Sequence, residues 1–120
     1  MPKDERHTCT IEIRQADGVA IVDVRGPLFL GEGSATLTEK IKELLNQGHK
    51  NLAVNLGGAS KIDSSGMGAL VHAHSSVRNA GGKLRVFAVT PQVSQILKMV
   101  RLETVFEIYP DEAAALASFQ

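Results

Sequence analysis

The chain has one cysteine, no tryptophan and one tyrosine in 120 residues. A lone Cys9 excludes an internal disulfide and fits a reducing compartment. So few aromatic rings argue against a ligand pocket built on stacking. Neither sign of charge prevails, because thirteen basic and thirteen acidic residues cancel. No field of one sign is available to draw in nucleic acid or an anionic membrane surface. No apolar run approaches the ~20 residues needed to cross a bilayer, so membrane insertion is not expected. The first six residues, Met-Pro-Lys-Asp-Glu-Arg, are charged and lack an apolar signal core, and the expected location is the cytoplasm. What remains is 43% hydrophobic residues, enough for a single domain over 1–120 with one buried core.

The hydrophobic pattern runs without repeats or low-complexity tracts. Cys9, Ile11 and Ile13 alternate with Thr10, Glu12 and Arg14, the period of a half-buried strand. Ala16-Asp17-Gly18 supplies turn chemistry, and Val19 to Val24 reads as the second strand of a hairpin. Gly26 and Pro27 stop it. From Ser34 the period becomes helical, with Leu37, Ile41, Leu44 and Leu45 on one stripe and Gly48 ending it. Glu39, Lys40, Lys42 and Glu43 fall off that stripe on a solvated face.

Residues 52–56 form an apolar strand, and a second helix follows with the stripe Met67, Leu70, Val71, His74 and Val77 up to Gly81-Gly82. Residues 84–89 give another strand. Thr90 as N-cap with Pro91 behind it opens a third helix carrying Val93, Ile96, Leu97 and Val100. A short strand over 105–109 and a small Ala-rich helix capped by Asp111 complete the chain. A hairpin followed by helix–strand alternation predicts an α/β fold: a mixed sheet with parallel crossovers, covered by about four helices.

The tetrapeptide Asp63-Ser64-Ser65-Gly66 lies between the 52–56 strand and the second helix. Unpaired backbone N–H groups and the positive end of a helix dipole converge at such a place. Ser and Asp are preferred at helix starts in any protein, so the plain reading is an N-cap. The functional reading is a hydroxyl poised where a phosphate is electrostatically welcome. Ligand sites in parallel sheets also favour the loops at the carboxyl ends of strands.

Together with the element order, these residues resemble the STAS domain family, in the small free-standing bacterial form called anti-sigma factor antagonist. The resemblance covers roughly Thr8 to Phe119. It is carried by Val54-Asn55-Leu56, a loop, and then Ile62-Asp63-Ser64-Ser65-Gly66-Met67-Gly68. Gly81-Gly82-Lys83-Leu84, Thr90-Pro91 and Val100-Arg101-Leu102 before Val105-Phe106 support it. The resemblance implies a phosphorylation-switched binding module. The family's acceptor, directly after the Asp, falls on Ser64. An anti-sigma factor serine kinase would phosphorylate it and a serine phosphatase would reset it. In the unphosphorylated state the protein would bind the anti-sigma factor and free a sigma factor. The implied contact surface is Asp63, Ser64, Ser65, Gly66 and Met67, with Phe29 and Leu30 beside it.

One stretch departs from the family. Gly26-Pro27-Leu28-Phe29 lacks the usual acidic residues, and the loop from Phe29 to Gly33 is about two residues long in excess. Phe29 and Leu30 are either buried beneath the first helix or offer an apolar contact to a different partner.

The other chemistry-bearing residues point nowhere. His72 and His74 are two apart on a helix and do not share a face. His7 and Cys9 have no second pair with ligand spacing, so no metal is expected. Cys9, in phase with Ile11 and Ile13, reads as a small core residue. Gly31 and Gly33 lack a nucleotide-binding context. Ser64 lacks the Gly-x-Ser-x-Gly frame and a His placed as its base. The expectation is a non-enzyme without cofactor. The alternatives are a scaffold or soluble subunit of a signalling or transport assembly, and a small-ligand or nucleotide sensor using the same loops.

Overall fold

The computed structural model describes residues 9–28 and 32–120, with the side chain of Glu32 excepted. Five strands and four helices alternate as the sequence predicts. They are β1 (Thr10–Ala16), β2 (Val19–Arg25), α1 (Glu32–Asn46), β3 (Asn51–Gly58), α2 (Ser64–Asn79), β4 (Lys83–Phe87), α3 (Pro91–Met99), β5 (Glu107–Tyr109) and α4 (Glu112–Ala117). The hairpin turn needs positive φ at both central residues, and Asp17 (φ 53) and Gly18 (φ 77) supply it. The strand order is β1-β2-β3-β4-β5, with β1 antiparallel and all other pairings parallel.

That order explains the layering. Each parallel crossover steps one strand further in the same direction, and right-handed crossovers then put all three connecting helices on one face. Alternate strand residues accordingly point into one main core. Ala20, Val22 and Val24 of β2, Leu52, Val54 and Leu56 of β3, and Leu84 and Val86 of β4 meet Leu37, Ile41 and Leu44 of α1, Leu70 and Val77 of α2, and Val93 and Leu97 of α3. The opposite face is covered only in part. There α4 seats Ala115 over Val19, Ile21, Ala53 and Phe87.

Several boundaries differ from the sequence expectation. The helix α1 starts at Glu32, two residues before Ser34. Strand β4 ends at Phe87 because Ala88 takes a left-handed conformation (φ 59), while its N–H still reaches the Tyr109 carbonyl. The last strand is Glu107–Tyr109 and excludes Val105. Residues 102–104 form a 3-10 turn whose Leu102 carbonyl accepts the N–H groups of Val105 and Phe106. Phe106 is thereby buried edge-on against His74, at 5.6 Å between ring centroids and 87° between planes. The buried face of α2 keeps Met67, Leu70 and Val77 of the expected stripe but is wider than it. Gly66, Ala69 and Ala73 are buried beside Met67, Leu70 and Val77, whereas Val71 and His74 lie at its half-exposed margin. Small residues carry no hydropathy signal, yet they let α2 and α1 approach. Val100 is exposed beyond the end of α3.

Candidate functional site

The segments leaving β2 and β3 stay paired beyond the sheet. Gly26 N–H donates to Gly58 O at 2.8 Å, Ser60 N–H to Gly26 O at 3.1 Å and Leu28 N–H to Lys61 O at 2.8 Å. An isolated parallel bridge joins Leu28 and Ile62. Both side chains are buried, so the bridge forms an apolar plug beneath the next turn. The chain therefore reaches Asp63 in a fixed position, with its N–H on the Leu28 carbonyl.

Asp63 is the N-cap of α2. Its backbone is extended (φ −107, ψ −175), its Oδ1 accepts the Gly66 N–H at 2.9 Å and its carbonyl accepts the Met67 N–H at 2.9 Å. Two of the amides at the helix start are thus already engaged. Ser64 follows at the first helical position and is exposed, while Ser65 is half-exposed. Gly66 and Met67 point inward and are buried. A side chain on Gly66 would collide with the Leu28 carbonyl and come within 2.8 Å of Ile62 Cγ1. Glycine is required there by close approach of helix and plug. Gly68, by contrast, is exposed with open space where a Cβ would stand.

Of the expected surface residues, Asp63, Ser64 and Ser65 come together at the start of α2, with Gly66 and Met67 supporting them from beneath. Phe29 and Leu30 lie outside the described residues. Beside Ser65 runs a shallow groove between α1 and α2, lined by Ser34, Thr38, Glu39, Gly68 and His72 among others. Among the described residues no group of three or more His, Cys, Asp or Glu side chains could hold a metal. Nor is any described helix long and apolar enough to cross a membrane.

The sequence pattern known as the STAS domain matches residues 10–115. The chain belongs to the STAS domain family. A curated relative, the anti-sigma F factor antagonist of Paenibacillus polymyxa, is 26% identical over 110 residues, covering 92% of this chain and 94% of the relative. Among solved structures, a putative anti-sigma factor antagonist from Thermotoga maritima superposes with a TM-score of 0.84 at 22% identity, covering 96% of this chain and 97% of that one. The Bacillus cell fate determinant SpoIIAA in its phosphorylated form gives 0.71 at 16% identity, covering 92% and 100%. At such identities the structural likeness speaks for the fold. The mixed five-stranded sheet with four helices is the STAS fold.

Sequence reasoning missed a polar cluster on the partly covered sheet face. Asp23, only 4% exposed, is the one buried charged residue among those described. It accepts bonds from Arg14 and from Asn55 Nδ2 (2.9 Å), and Arg14 Nη2 goes on to Glu112 Oε1 of α4 at 2.6 Å. The Arg14 bonds hold the Asp23 carboxyl below its ordinary value against the opposing effect of burial. An Asp within an apolar strand was the available signal.

Proposed function

We propose that this STAS domain is a phosphorylation-switched anti-sigma factor antagonist. Unphosphorylated at Ser64, it binds an anti-sigma factor serine kinase and releases a sigma factor. The kinase transfers the γ-phosphoryl group of ATP to Ser64 Oγ, ADP leaves, and the hydroxyl proton passes to a base of the kinase. A serine phosphatase reverses the modification by hydrolysis.

The observation that carries this reading is an exposed hydroxyl at the first position of a well-capped helix. Asp63 is occupied as the cap, so its role is to fix the turn that presents Ser64. The contact surface is Asp63, Ser64 and Ser65, supported from beneath by Gly66 and Met67 and continued along the α1/α2 groove. Similarity to the Paenibacillus antagonist supports the assignment of partner class. A phosphoserine adds about −1.5 to −2 charge and three acceptor oxygens to a surface formed around a neutral hydroxyl. Binding is lost while the fold stays. Incubation with an anti-sigma factor kinase and Mg-ATP, followed by peptide mapping, tests the reading. One phosphate on Ser64 is expected, and a kinase-competent mixture that leaves Ser64 unlabelled overturns it.

A further inference from the structure

The two edges of the sheet are finished differently. β5 is three residues long and offers little to another strand. β1 is seven residues long, and no described strand lies on its outer side. Proline, lysine and bulges are common devices that blunt an exposed edge. β1 has none of them, and its register with β2 runs unbroken from Thr10↔Arg25 to Ala16↔Val19.

The direction of each backbone group follows from the hairpin. Its turn has two residues, Asp17 and Gly18, so Ala16 and Val19 close it as a hydrogen-bonded pair. Alternation gives Arg14, Glu12 and Thr10 the bonds to β2, and turns the N–H and C=O groups of Ile11, Ile13 and Gln15 outward. Side chains alternate as well. Ile11 and Ile13 pack half-buried against the main core, while Glu12 and Arg14 lie exposed on the reverse face. Glu12 is poorly served within one chain. Its direct register partner is Asp23, a like charge, and among the described residues no ion pair engages it.

We propose that β1 is a self-association edge, pairing antiparallel with β1 of a second copy about a two-fold axis at Ile13. In that register Ile13 faces Ile13 of the second copy and Ile11 faces Gln15, each pair exchanging both N–H···O bonds through the outward groups. Glu12 faces Arg14 of the second copy in the intervening, closer pairs, with Cα atoms about 4.5 Å apart. One symmetry operation thus supplies the missing cation to both copies of Glu12. Arg14 can serve, being 44% exposed, and its Nη1 makes only a 3.5 Å bond to Glu112. Neighbouring registers fail. An axis at Glu12 or Arg14 sets like charges face to face, and an axis at Ile11 or Gln15 leaves Glu12 without a cation. A two-fold contact uses the same patch on both copies and closes on itself, giving a dimer.

Sedimentation of the full chain should show reversible monomer–dimer exchange with a dissociation constant of about 1 mM or tighter, as for a small interface. Amide hydrogen exchange read by NMR tests the register. The N–H groups of Ile11, Ile13 and Gln15 should gain protection as concentration rises, while those of Glu12 and Arg14, bonded within the hairpin, should not change. Glu12→Arg brings two cations face to face across the axis and should weaken association at least tenfold. Within the single chain it removes a like charge opposite Asp23, so thermal unfolding of the dilute protein should be no lower than wild type. A chain that stays monomeric at ~1 mM overturns the proposal, because the edge then contributes no usable affinity. Association that leaves those outward amides unprotected places the contact elsewhere, and undiminished association of Glu12→Arg overturns the register. Protection already complete in the monomer and independent of concentration would mean that another segment of the same chain lies along β1.

Discussion

Arg14 on β1 holds Asp23 on β2 through two bonds, Nε to Oδ2 at 2.5 Å and Nη2 to Oδ1 at 3.0 Å. The pair is diagonal, because the direct register partner of Asp23 is Glu12. With Asn55 donating from β3 and Glu112 accepting from α4, one carboxylate joins three strands to the helix on the reverse face. The two-pronged geometry favours Arg, whose planar fork meets both oxygens of a carboxylate. Arg14 stays 44% exposed and keeps part of its hydration, while the Asp23 side chain is 5% exposed.

Removing the carboxylate should therefore cost more than an ordinary surface pair. Asp23→Ala is expected to destabilise by about 1–3 kcal/mol, the range for breaking a buried hydrogen-bonded partner. The pH dependence has a definite sign. The folded-state pKa of Asp23 lies below its ordinary value of 3.8, chiefly through the Arg14 bonds. Its contribution is complete above that value and is lost as pH falls through the lower folded value. Urea titrations from pH 6 down to 2 should show a shallower acid loss for Asp23→Ala than for wild type. Parallel curves would mean the pair contributes nothing to acid stability.

The helix stripes were legible because long apolar side chains at spacings of three and four mark the buried face directly. Leu37, Ile41 and Leu44 fell where periodicity put them. Thr90, Asp63 and Asp111 were legible as caps, since a short polar side chain before a helical run has little else to do. The burial of Ala69 and Ala73 was not legible, because alanine serves either face. The Arg14–Asp23–Glu112 chain was also hidden. It depends on strand register and on a contact between residues 98 apart in sequence. At the site, sequence located the Asp63 cap and the turn. The Leu28–Ile62 plug that makes Gly66 necessary is a pairing beyond the sheet, and no local pattern announces it.

The phase of α1 can be checked at two adjacent residues. Leu44 is 4% exposed and Glu43 faces solvent. Leu44→Ala should destabilise by about 2–5 kcal/mol, as buried Leu truncations do. Glu43→Ala should change stability by less than ~0.5 kcal/mol. Equal shifts in chemical denaturation would contradict the packing of α1.

Two glycines only two residues apart, one buried and one exposed, should respond in opposite directions. Gly66→Ala forces a methyl group against the Leu28 carbonyl and Ile62, and is expected to cost about 1–3 kcal/mol as overpacking does. Gly68→Ala meets no neighbour and should stabilise α2 by up to ~1 kcal/mol through helix propensity. Because Gly68 lines the α1/α2 groove, the same substitution should reduce kinase binding while raising the melting temperature. A stabilised variant with undiminished affinity would exclude that part of the groove from the contact.

The switch itself is tested most sharply by separating Ser64 from Ser65. Ser64→Ala should abolish labelling by the kinase, whereas Ser65→Ala should at most reduce it. Persistent label on Ser65 in the Ser64→Ala protein would move the acceptor by one residue without removing the switch. Phosphorylation should weaken the complex a hundredfold or more, about 2.8 kcal/mol, which a poorly compensated interfacial charge readily exceeds. The fold should not respond. The Gly66 and Met67 amides already belong to Asp63, so the phosphate adds to an existing cap rather than building one. Its charge sits beside the Asp63 carboxylate yet near the positive end of the α2 dipole, two opposed effects on the helix start. Far-UV circular dichroism should therefore be nearly the same for both forms, while calorimetry shows a steep loss of affinity. Ser64→Glu should imitate phosphate only in part, with a single charge and fewer acceptor oxygens. Equal affinity of the two forms would remove the mechanism, and tighter binding by the phosphoprotein would make the Ser64 turn a phosphate-reading contact instead.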